Sequence, residues 1–550
     1  MKLILALALA LFSLILISCG GGSNVASNNG GGVGSGGTGI SMGTVTGFGS
    51  IVIDGVAHSS ATPQFYVGND LSDKAVASPA NILLGAHLLV QFDKNGNPAS
   101  MTEVPELIGL VSQINANGFT VNTVPVQVNT SANAGPVTYY SGLAGSAAIR
   151  VGMQVAVSGA YAVDAAGLGY VQATLVERRP AASIVTRVSG FISDLNSSTH
   201  SFNLAGMSVK YDSSSTITPA GAALVNGKFV NVWSNRPLTS NGTALAAGSI
   251  HLLSLAGQSG LAQISGLVSR LSGSSFQIDG MVVDASASAL SLVLAELTNG
   301  QYVTVKGTIN ASTGAVSATS IKSYAHQPVM VELQGSINGY LGPNAFFVRG
   351  VAVDASNATF LNGATAASLA NGVYVDIKGA IATPSSNFVN VTEVSVLSSP
   401  PTGKTVNYHG SISQVNAMAK TFVLTRKVGG TDTLEFVSQS ANMSYSNGTA
   451  AQLVNGAYVE LEATQTASGL SAYSLSFVSA PPSGAGTAQP ILIHGRVSAL
   501  TDTSFELAGI VIQYSPATPL DGILSEGAKV DVWFTPSGAI NQAQIIDVGD

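Results

Sequence analysis

The sequence contains a single cysteine, Cys19, among its 550 residues. One thiol cannot form an intrachain disulfide, so we expect the folded chain to be stabilised by packing alone. Charged residues make up only 9% of the chain, aromatic residues 6%, and the formal net charge is −7. Nucleic-acid binding is therefore not expected, because it relies on clustered basic side chains and stacking aromatics. We interpret the two adjacent basic pairs, Arg178–Arg179 and Arg426–Lys427, as solvated turns.

The chain also lacks any local grouping of residues that indicates catalysis or metal binding. Its seven histidines are scattered, and no two lie closer than 29 residues: His58, His87, His200, His251, His326, His409 and His494. A metal site built from one segment needs ligands a few residues apart. Residues 39–43 match the Gly-x-Ser-x-Gly pattern of a hydrolase nucleophile, but they join a glycine-rich segment to a strand. We therefore expect no enzyme activity, no catalytic residue, no cofactor and no metal site.

What the chain has instead is a repeated unit, which is most complete between Ile264 and Tyr324. Its opening glycine recurs at intervals of 66 to 85 residues, at Gly43, Gly109, Gly190, Gly266, Gly335, Gly410 and Gly495. A Phe-x-x-x-Gly step recurs at Phe202–Gly206, Phe276–Gly280, Phe346–Gly350 and Phe505–Gly509. A Leu-x-Asn-Gly step recurs at Leu224–Gly227, Leu297–Gly300, Leu369–Gly372 and Leu453–Gly456. Looser forms of it occur at Ile82–Gly85, Ile149–Gly152 and Leu524–Gly527. Self-similarity at a fixed period indicates a repeat architecture.

The residues between these steps alternate between apolar and polar side chains, as in residues 301–306 and 373–378. This is the period of a half-buried strand. Asn-Gly adopts the positive backbone angles of a tight turn, so each unit is interpreted as about five short strands joined by turns. Residues 285–297 are rich in Ala and Leu and predict a short helix or helical turn before the fourth strand. The equivalent segments are residues 220–224 and 365–369.

This order of elements predicts an all-β fold, a tandem array of about seven small OB-like β-barrels of roughly 65–85 residues. The alternative is an array of Ig-like β-sandwiches, although such domains typically have ~100 residues. The units we assign are residues 41–105, 106–180, 185–256, 261–325, 330–400, 404–480 and 490–550. Prolines lie at or beside several joins, most clearly in residues 479–489. Short proline-containing joins predict a semi-rigid string of units.

Residues 1–18 have the features of a lipoprotein signal peptide, with Lys2 followed by an apolar run. Residues 16–19 (Leu-Ile-Ser-Cys) resemble the lipobox of bacterial lipoproteins. That resemblance implies cleavage before Cys19, diacylglycerol on its sulfur and a fatty acyl chain such as palmitate on its amino group. Gly20 after the cysteine is similar to the Gram-negative signal for the outer membrane. Residues 19–40 then form the lipidated cysteine and a Gly/Ser-rich tether.

Residues 43–56 combine Gly-x-Gly-Ser, an apolar strand and Asp-Gly-Val. This stretch resembles the start of proteins built from the bacterial domain of unknown function numbered 5666, which occurs as tandem repeats in Gram-negative lipoproteins. The resemblance extends from Gly43 to Val548 and is clearest in units three to five and seven. It implies no established activity and no site residues. Units two and six lack the Phe-x-x-x-Gly step after Phe119 and Phe422, and unit six has an insert at residues 426–432, so we expect distorted barrels there.

Two functions fit these features. The first is a non-enzymatic, outer-membrane-anchored repeat lipoprotein, a structural, adhesive or envelope-interaction scaffold on the periplasmic face or the cell surface. Its partners would be the membrane, through Cys19, and an unidentified envelope or extracellular glycan or protein. The alternative is a protein whose barrels bind an oligosaccharide or another small molecule, since OB folds do so elsewhere.

The sequence offers few candidates for such a binding site. Tyr139–Tyr140, Trp233 and Trp533 have rings that stack on sugars, but the tryptophans share one position in their units, which favours a role in the barrel wall. His409 and His494 directly precede an opening glycine, and we interpret both as strand residues. Residues 93–97 (Asp-Lys-Asn-Gly-Asn) hint at a calcium loop, but they lack its glycine and glutamate positions and predict a hairpin turn.

Overall fold

The computed structural model describes residues 39–59, 64–67, 75–76, 82–180, 185–236, 238–239, 243–324, 329–382, 388–482, 490–537 and 540–549. The predicted signal peptide, Cys19 and nearly all of the tether lie outside these residues, as does His326. Strands dominate the described chain, which has one short α-helix, Ser291–Glu296. The predicted all-β class is therefore confirmed.

The strands fall into the units assigned from sequence. Those of unit one are Ile40–Phe48, Ile51–Ile53, Val56–His58, Gln64–Val67, Ala75–Val76, His87–Phe92 and Pro98–Glu103. Those of unit two are Leu107–Asn115, Gly118–Val121, Val124–Val128, Tyr139–Ser141, Gln154–Val163 and Gly169–Arg178. Those of unit three are Thr186–Asn196, Ser201–Leu204, Met207–Lys210, Thr216–Thr218, Phe229–Ser234, Ala244–Ala246 and Ser249–Leu252.

The later units follow the same plan. Unit four has Gly260–Leu267, Ser269–Ser272, Ser275–Ile278, Met281–Asp284, Tyr302–Ile309 and Val316–Ser323. Unit five has Val331–Gly342, Ala345–Val348, Val351–Asp354, Thr359–Leu361, Tyr374–Ile381 and Phe388–Leu397. Unit six has Thr405–Asn416, Thr421–Val428, Thr431–Ser446, Tyr458–Thr466 and Gly469–Phe477. Unit seven has Ile491–Arg496, Ser504–Leu507, Ile510–Gln513, Leu520–Asp521, Lys529–Ser537 and Ile540–Val548.

Helical turns occur before the fourth strand in several units. In unit four a 3₁₀ turn, Ser288–Leu290, leads into the α-helix Ser291–Glu296, as predicted for residues 285–297. Units five and six have single 3₁₀ turns, Ala366–Ser368 and Ala450–Gln452, and unit two has two, Ala132–Ala134 and Ser146–Ala148. Residues 220–224 of unit three form no helix, so the prediction was wrong there. That segment is short and contains a glycine, which lowers helix stability.

Five main strands close each unit into a ring, and in unit six they are the five strands given above. In the other units the short strands between the third and fourth main strands are not counted, and in unit four Gly260–Leu267 and Ser269–Ser272 together count as the first. In units two, four, five and six the first strand pairs antiparallel with the second and the fourth, and the second pairs with the third. The fifth strand runs parallel to the third and antiparallel to the fourth. Unit three repeats this with its fifth strand in two pieces. The OB-like class remains our prediction, and this strand order is what it rests on.

Units two and six were expected to be distorted, and that expectation was wrong. The strands of unit six form a closed barrel, and those of unit two pair around the same ring. In unit two Asn122, with a φ of +54°, occupies the turn that Phe-x-x-x-Gly supplies elsewhere. In unit six the hairpin is longer and turns at Gly429 and Gly430, both with positive φ. A hairpin requires residues that adopt the backbone angles of its turn. Units two and six meet this requirement with sequences other than Phe-x-x-x-Gly.

The Leu-x-Asn-Gly step fastens the start of the fourth strand to the first strand. Gly300 has a φ of +84°, and its N–H donates to the Val268 carbonyl at 2.7 Å. The Asn299 side-chain oxygen accepts from the Leu271 N–H at 2.9 Å. The same glycine hydrogen bond, from a glycine with positive φ, recurs as Gly85 to Val45, Gly152 to Val111, Gly227 to Ile192, Gly372 to Ile337, Gly456 to Ile412 and Gly527 to Val497. The step therefore repeats because each ring is closed by it.

The units pack against one another, which corrects the predicted string. Ile40–Phe48, the first strand of unit one, is buried along its whole length and pairs in parallel with the first strands of units four and five. The first strands of units two and three also pair. The apolar core of unit one is continuous with that of unit five, and the core of unit two with that of unit three. Open strand edges and apolar faces gain hydrogen bonds and burial by packing, which the short joins permit.

Buried ion pairs cross the joins between units. Arg349 of unit five contacts Glu462 of unit six at 2.8 Å, with side chains only 7% and 3% exposed. Arg496 of unit seven contacts Glu177 of unit two, and Arg178 contacts Glu526 of unit seven at 3.1 Å. The interpretation of Arg178–Arg179 as a solvated turn was wrong, because Arg179 pairs with Glu177 at 2.8 Å in this largely buried network. Of the other basic pair, Lys427 is exposed, as expected, whereas the Arg426 side chain is only 12% exposed.

Replacing Gly300 with Val is expected to destabilise unit four by roughly 1–3 kcal/mol, because a β-branched residue is strained at positive φ. Its added Cβ would also lie 3.3 Å from the Tyr170 hydroxyl. Native-state hydrogen exchange of the purified chain, read at the amides of unit four, measures the loss. Unchanged exchange would refute the role of this turn.

Three alanine variants separate strain from crowding. Gly372→Ala should cost more than Gly456→Ala, because both sites have positive φ but only at Gly372 would the Cβ meet a backbone oxygen, Lys427 O at 2.4 Å. Gly495→Ala, with its nearest neighbour at 3.8 Å and no positive φ, should change the stability by less than ~0.5 kcal/mol.

Candidate ligand cleft between units five, six and seven

The histidines of unit one are structural. His58 Nε2 lies 3.2 Å from the Ser41 hydroxyl, and His87 Nδ1 lies 2.7 Å from the Gly159 carbonyl of unit two. Burial lowers the pKa of each ring to about 4, so both are neutral at pH 7. His200 is exposed and packs edge-on against Tyr211. None of these three side chains faces a cluster of ligating groups among the described residues.

Most of the aromatic candidates are buried in the units. Tyr139 and Tyr140 are 6% and 3% exposed, so they do not present a stacking face to a ligand. Trp233 lies in the predicted strand of the barrel wall and is fully buried, but it packs against Ile108 and Ala156 of unit two and not in the core of its own unit. The Arg187 guanidinium lies 4.6 Å from its ring centre. Residues 93–97 form the predicted hairpin, in which Asp93 Oδ1 accepts from the Asn95 and Asn97 N–H groups at 2.8 and 2.9 Å.

Trp533 occupies the equivalent wall position in unit seven but also borders a cleft. The cleft has a volume of about 350 Å³ and lies where units five, six and seven meet. Such a volume is in the range of small-molecule sites. First strands contribute Ser336 and residues 338–340 of unit five, residues 407–409 of unit six and residues 491–492 of unit seven. The rest of the lining comprises Ala370, Asn371, Gly372, Arg426, Lys427, Gly429, Gly430, Tyr458, Pro481, Pro490 and Trp533.

Three rings from two units border this cleft: the half-buried His409 and Tyr458 of unit six and, packed against them, Trp533 of unit seven, which is only 3% exposed. Trp533 meets His409 edge to face at 6.1 Å between ring centres and Tyr458 at 5.7 Å. The Trp533 Nε1–H donates to the Ser479 carbonyl at 2.7 Å, which fixes the indole in the join between the units. Burial lowers the pKa of His409, so these rings are uncharged at pH 7.

The cations at the cleft are already paired. Arg426 Nη2 contacts Glu435 at 2.7 Å, its Nη1 donates to the Gly372 carbonyl at 3.2 Å, and its guanidinium lies 3.9 Å from the Tyr408 ring centre. Lys427 pairs with Asp432 at 2.7 Å. The side-chain oxygen of Asn407 is buried and has no hydrogen-bond partner among the described residues. The cleft therefore offers ring faces and amide groups, with its basic charge compensated.

Sequence reasoning found the parts of this cleft but not their assembly. His409 and Trp533 belong to different units, and only the packing of unit seven on unit six brings their rings together. Cys19 lies outside the described residues, and no helix within the described ranges has the length and apolar character needed to cross a membrane. The sequence feature that pointed to this join was the presence of a histidine, His409 or His494, directly before the opening glycine of units six and seven.

The neutral state of His87 predicts how stability depends on pH. The unfolded chain takes up a proton on this ring near pH 6.5 and the folded chain only near pH 4, so acidification through this window favours unfolding. His87→Gln keeps an N–H donor for Gly159 and does not titrate. Its stability relative to the native chain should therefore rise by up to roughly 3 kcal/mol between pH 7 and pH 4.

Urea unfolding at both pH values measures this difference. Thr174→Val is the matched control, because Thr174 donates to the Gly85 carbonyl across the same join and does not titrate. For Thr174→Val, the difference in the free energy of unfolding from the native chain should not change with pH. If the difference for His87→Gln is equally constant, His87 is not neutral in the folded chain.

Comparison with known protein families identifies the repeat. Four regions, residues 108–168, 265–322, 334–389 and 494–544, match the family described as Domain of unknown function (DUF5666). They fall in units two, four, five and seven, whereas unit three, expected among the clearest, is not among the matched regions. No curated protein matches the chain. Four of the units assigned from sequence are therefore similar to one domain of unknown function, DUF5666, as is consistent with repeats of this domain.

Proposed function

We propose that the protein is a non-enzymatic, outer-membrane-anchored lipoprotein that acts as a rigid scaffold in the cell envelope. The observation that carries this proposal is the placement of Ile40–Phe48 directly after the tether. All nine of its residues are buried, and it pairs with strands of units four and five as well as its own. A force on the anchor would thus reach three units through one strand.

The joins between units support a scaffold that keeps its shape. Arg349 and Glu462, and Arg496 and Glu177, are ion pairs with little exposure. Removing one partner of such a pair leaves an uncompensated buried charge and costs about 3–5 kcal/mol. The Thr405 hydroxyl of unit six also donates to the Gly49 carbonyl of unit one at 2.6 Å. Bending the array would break these contacts together.

Anchoring through Cys19 is tested by replacing the only thiol with a hydroxyl. We expect Cys19→Ser to abolish labelling by a palmitate analogue and to move the protein out of the membrane fraction, because multiple acyl chains are needed for stable attachment. Ser27→Ala, a small change within the tether, is the control and should leave both unchanged. Labelling of Cys19→Ser at the native level would overturn the anchor.

The face of the outer membrane is read by protease treatment of intact cells. Release of peptides from units one to seven supports an array at the cell surface that meets extracellular glycans or proteins. Protection that is lost only when the outer membrane is opened supports an envelope scaffold in the periplasm.

A second function, binding of a neutral oligosaccharide, is favoured by the cleft between units five, six and seven. Its bordering rings, Trp533, His409 and Tyr458, are uncharged, and both neighbouring cations are compensated. Sugars are recognised by aromatic faces together with amide groups, and Tyr340 and Asn338 of unit five also line the cleft. A charged ligand would find no free counter-charge among these residues.

Tyr458→Ala is expected to weaken oligosaccharide binding roughly tenfold, because an aromatic contact contributes about 0.5–1.5 kcal/mol beyond its buried area. A glycan array identifies the ligand, and titration calorimetry of the variant measures the loss. Tyr458→Phe keeps the ring and should bind normally. Tyr514→Ala, at a half-buried tyrosine of unit seven packed on Phe505, is the control. No glycan bound by the native chain would remove this candidate.

A further inference from the structure

A cluster of ligating side chains lies in the same join between units six and seven. Glu460 comes from the fourth strand of unit six, and His494 and Asp531 come from the first and fourth strands of unit seven. One ligating atom from each lies within 4.8 Å of the other two. His494 Nδ1 is 3.7 Å from Glu460 Oε1. The three residues lie far apart in sequence and meet only because the units pack.

Comparison of the units shows that a histidine paired with a carboxylate is unusual at the residue before the opening glycine. The residue before the opening glycine always faces one residue of the fourth strand, and in units three to five the two form a direct polar contact. These pairs are Ser189–Asn231 at 2.7 Å, Ser265–Thr304 at 2.9 Å and Gln334–Asp376 at 2.8 Å. Units six and seven instead carry His409–Glu460 and His494–Asp531. Histidine with a carboxylate is a common pairing in zinc and other transition-metal sites.

The charges around the cluster leave an excess of negative charge. Asp531 also faces Asp547 on the fifth strand, and like charges directly opposite one another destabilise a sheet. Arg496 and Lys529 border the same cavity, but Arg496 pairs with Glu177, and Lys529 interacts with Glu177 and Glu103.

The geometry allows an ion to enter and to be held. The three residues line a cavity of about 550 Å³ that has room for water as a further ligand. Ligands of a tetrahedral Zn²⁺ lie roughly 3.4 Å apart, given metal–ligand distances of ~2.0–2.1 Å, so ligating atoms within 4.8 Å of one another need to approach by about 1.4 Å at most. The ring of His494 is positioned by Gly350 of unit five, where a Cβ would come within 2.8 Å of Nε2. An imidazole in the set favours a transition metal over Ca²⁺, which takes six to eight oxygens.

We propose that Glu460, His494 and Asp531 bind one divalent transition-metal ion that ties unit six to unit seven. The site replaces the direct polar contact of the earlier units with a metal bridge between two units. It is independent of the proposed anchoring and of the ligand cleft.

Calorimetric titration with ZnCl₂ tests the site. The untagged chain in a Cys19→Ser background, treated with EDTA and dialysed, offers no free thiol. We expect one saturable site, with affinity reduced at least tenfold by Glu460→Gln, His494→Gln or Asp531→Asn. His200→Gln, at an exposed histidine of unit three, should bind Zn²⁺ like the parent chain.

A second readout keeps the test independent of misfolding. Saturating Zn²⁺ should raise the thermal unfolding midpoint of the parent chain and of His200→Gln, because it binds the folded state, but not that of His494→Gln. Circular dichroism without metal shows whether each variant folds. Absence of saturable binding, or equal affinity in the three ligand variants and the parent, would overturn the site. Ca²⁺ binding that is tighter than Zn²⁺ binding and insensitive to His494→Gln would overturn it as well.

Discussion

The hydrogen bond from the turn glycine to the first strand is the interaction on which each barrel depends. The first half of that strand pairs with the fourth strand and its second half with the second strand, so it must bend between them. The bend lies two residues beyond the carbonyl that accepts from the glycine, at a residue with positive φ: Asp194, Arg270, Gly339, Gln414 and Ala499 in units three to seven. In units three to six, the Asn before the turn glycine accepts a hydrogen bond from the backbone N–H that follows the bend, as Asn455 accepts from Val415. In unit seven, Glu526 accepts from the Leu500 N–H in the same way. One turn thus sets both the closure and the bend, which explains why its sequence is retained while the strands vary.

Closed rings leave few free edges, yet the units join through edges and buried charge. The strand Ile40–Phe48 uses the edge left free at its ends to pair with units four and five. Tyr302 of unit four donates to the buried carboxylate of Asp54 in unit one at 3.1 Å, and the Tyr161 N–H of unit two donates to Asp279 of unit four at 2.6 Å. Such groups are stable when buried only if they are paired, so every join fixes a specific partner. Some of the few charged residues, such as Arg349, Glu462, Arg496 and Glu177, lie in these joins.

The cleft and the histidine–carboxylate cluster lie in one join, and residues of the same strands line both. His409 borders the cleft and faces Glu460 across the pair of strands, and Glu460 in turn reaches His494 of the next unit. The polar position before the opening glycine is filled by a neutral pair in units three and four, Ser189–Asn231 and Ser265–Thr304. A barrel tolerates either choice, since the side chains at this position point away from its own core. The residue before the opening glycine can therefore change from a neutral to an ionisable side chain while the strand pairing of the barrel stays the same.

The sequence by itself determined the β class, the turn glycines and the alternation that places Phe276 and Phe346 in their cores. These features are local, because a positive φ at Gly300 or an apolar face on a strand is encoded within a few residues. Only the tertiary structure decided which units touch, that Arg178 and Arg179 are largely buried, and that Glu460, His494 and Asp531 meet. The physical reason is that contacts between units depend on the shapes and charges of whole barrels, and no periodicity within one unit records which surface it will face.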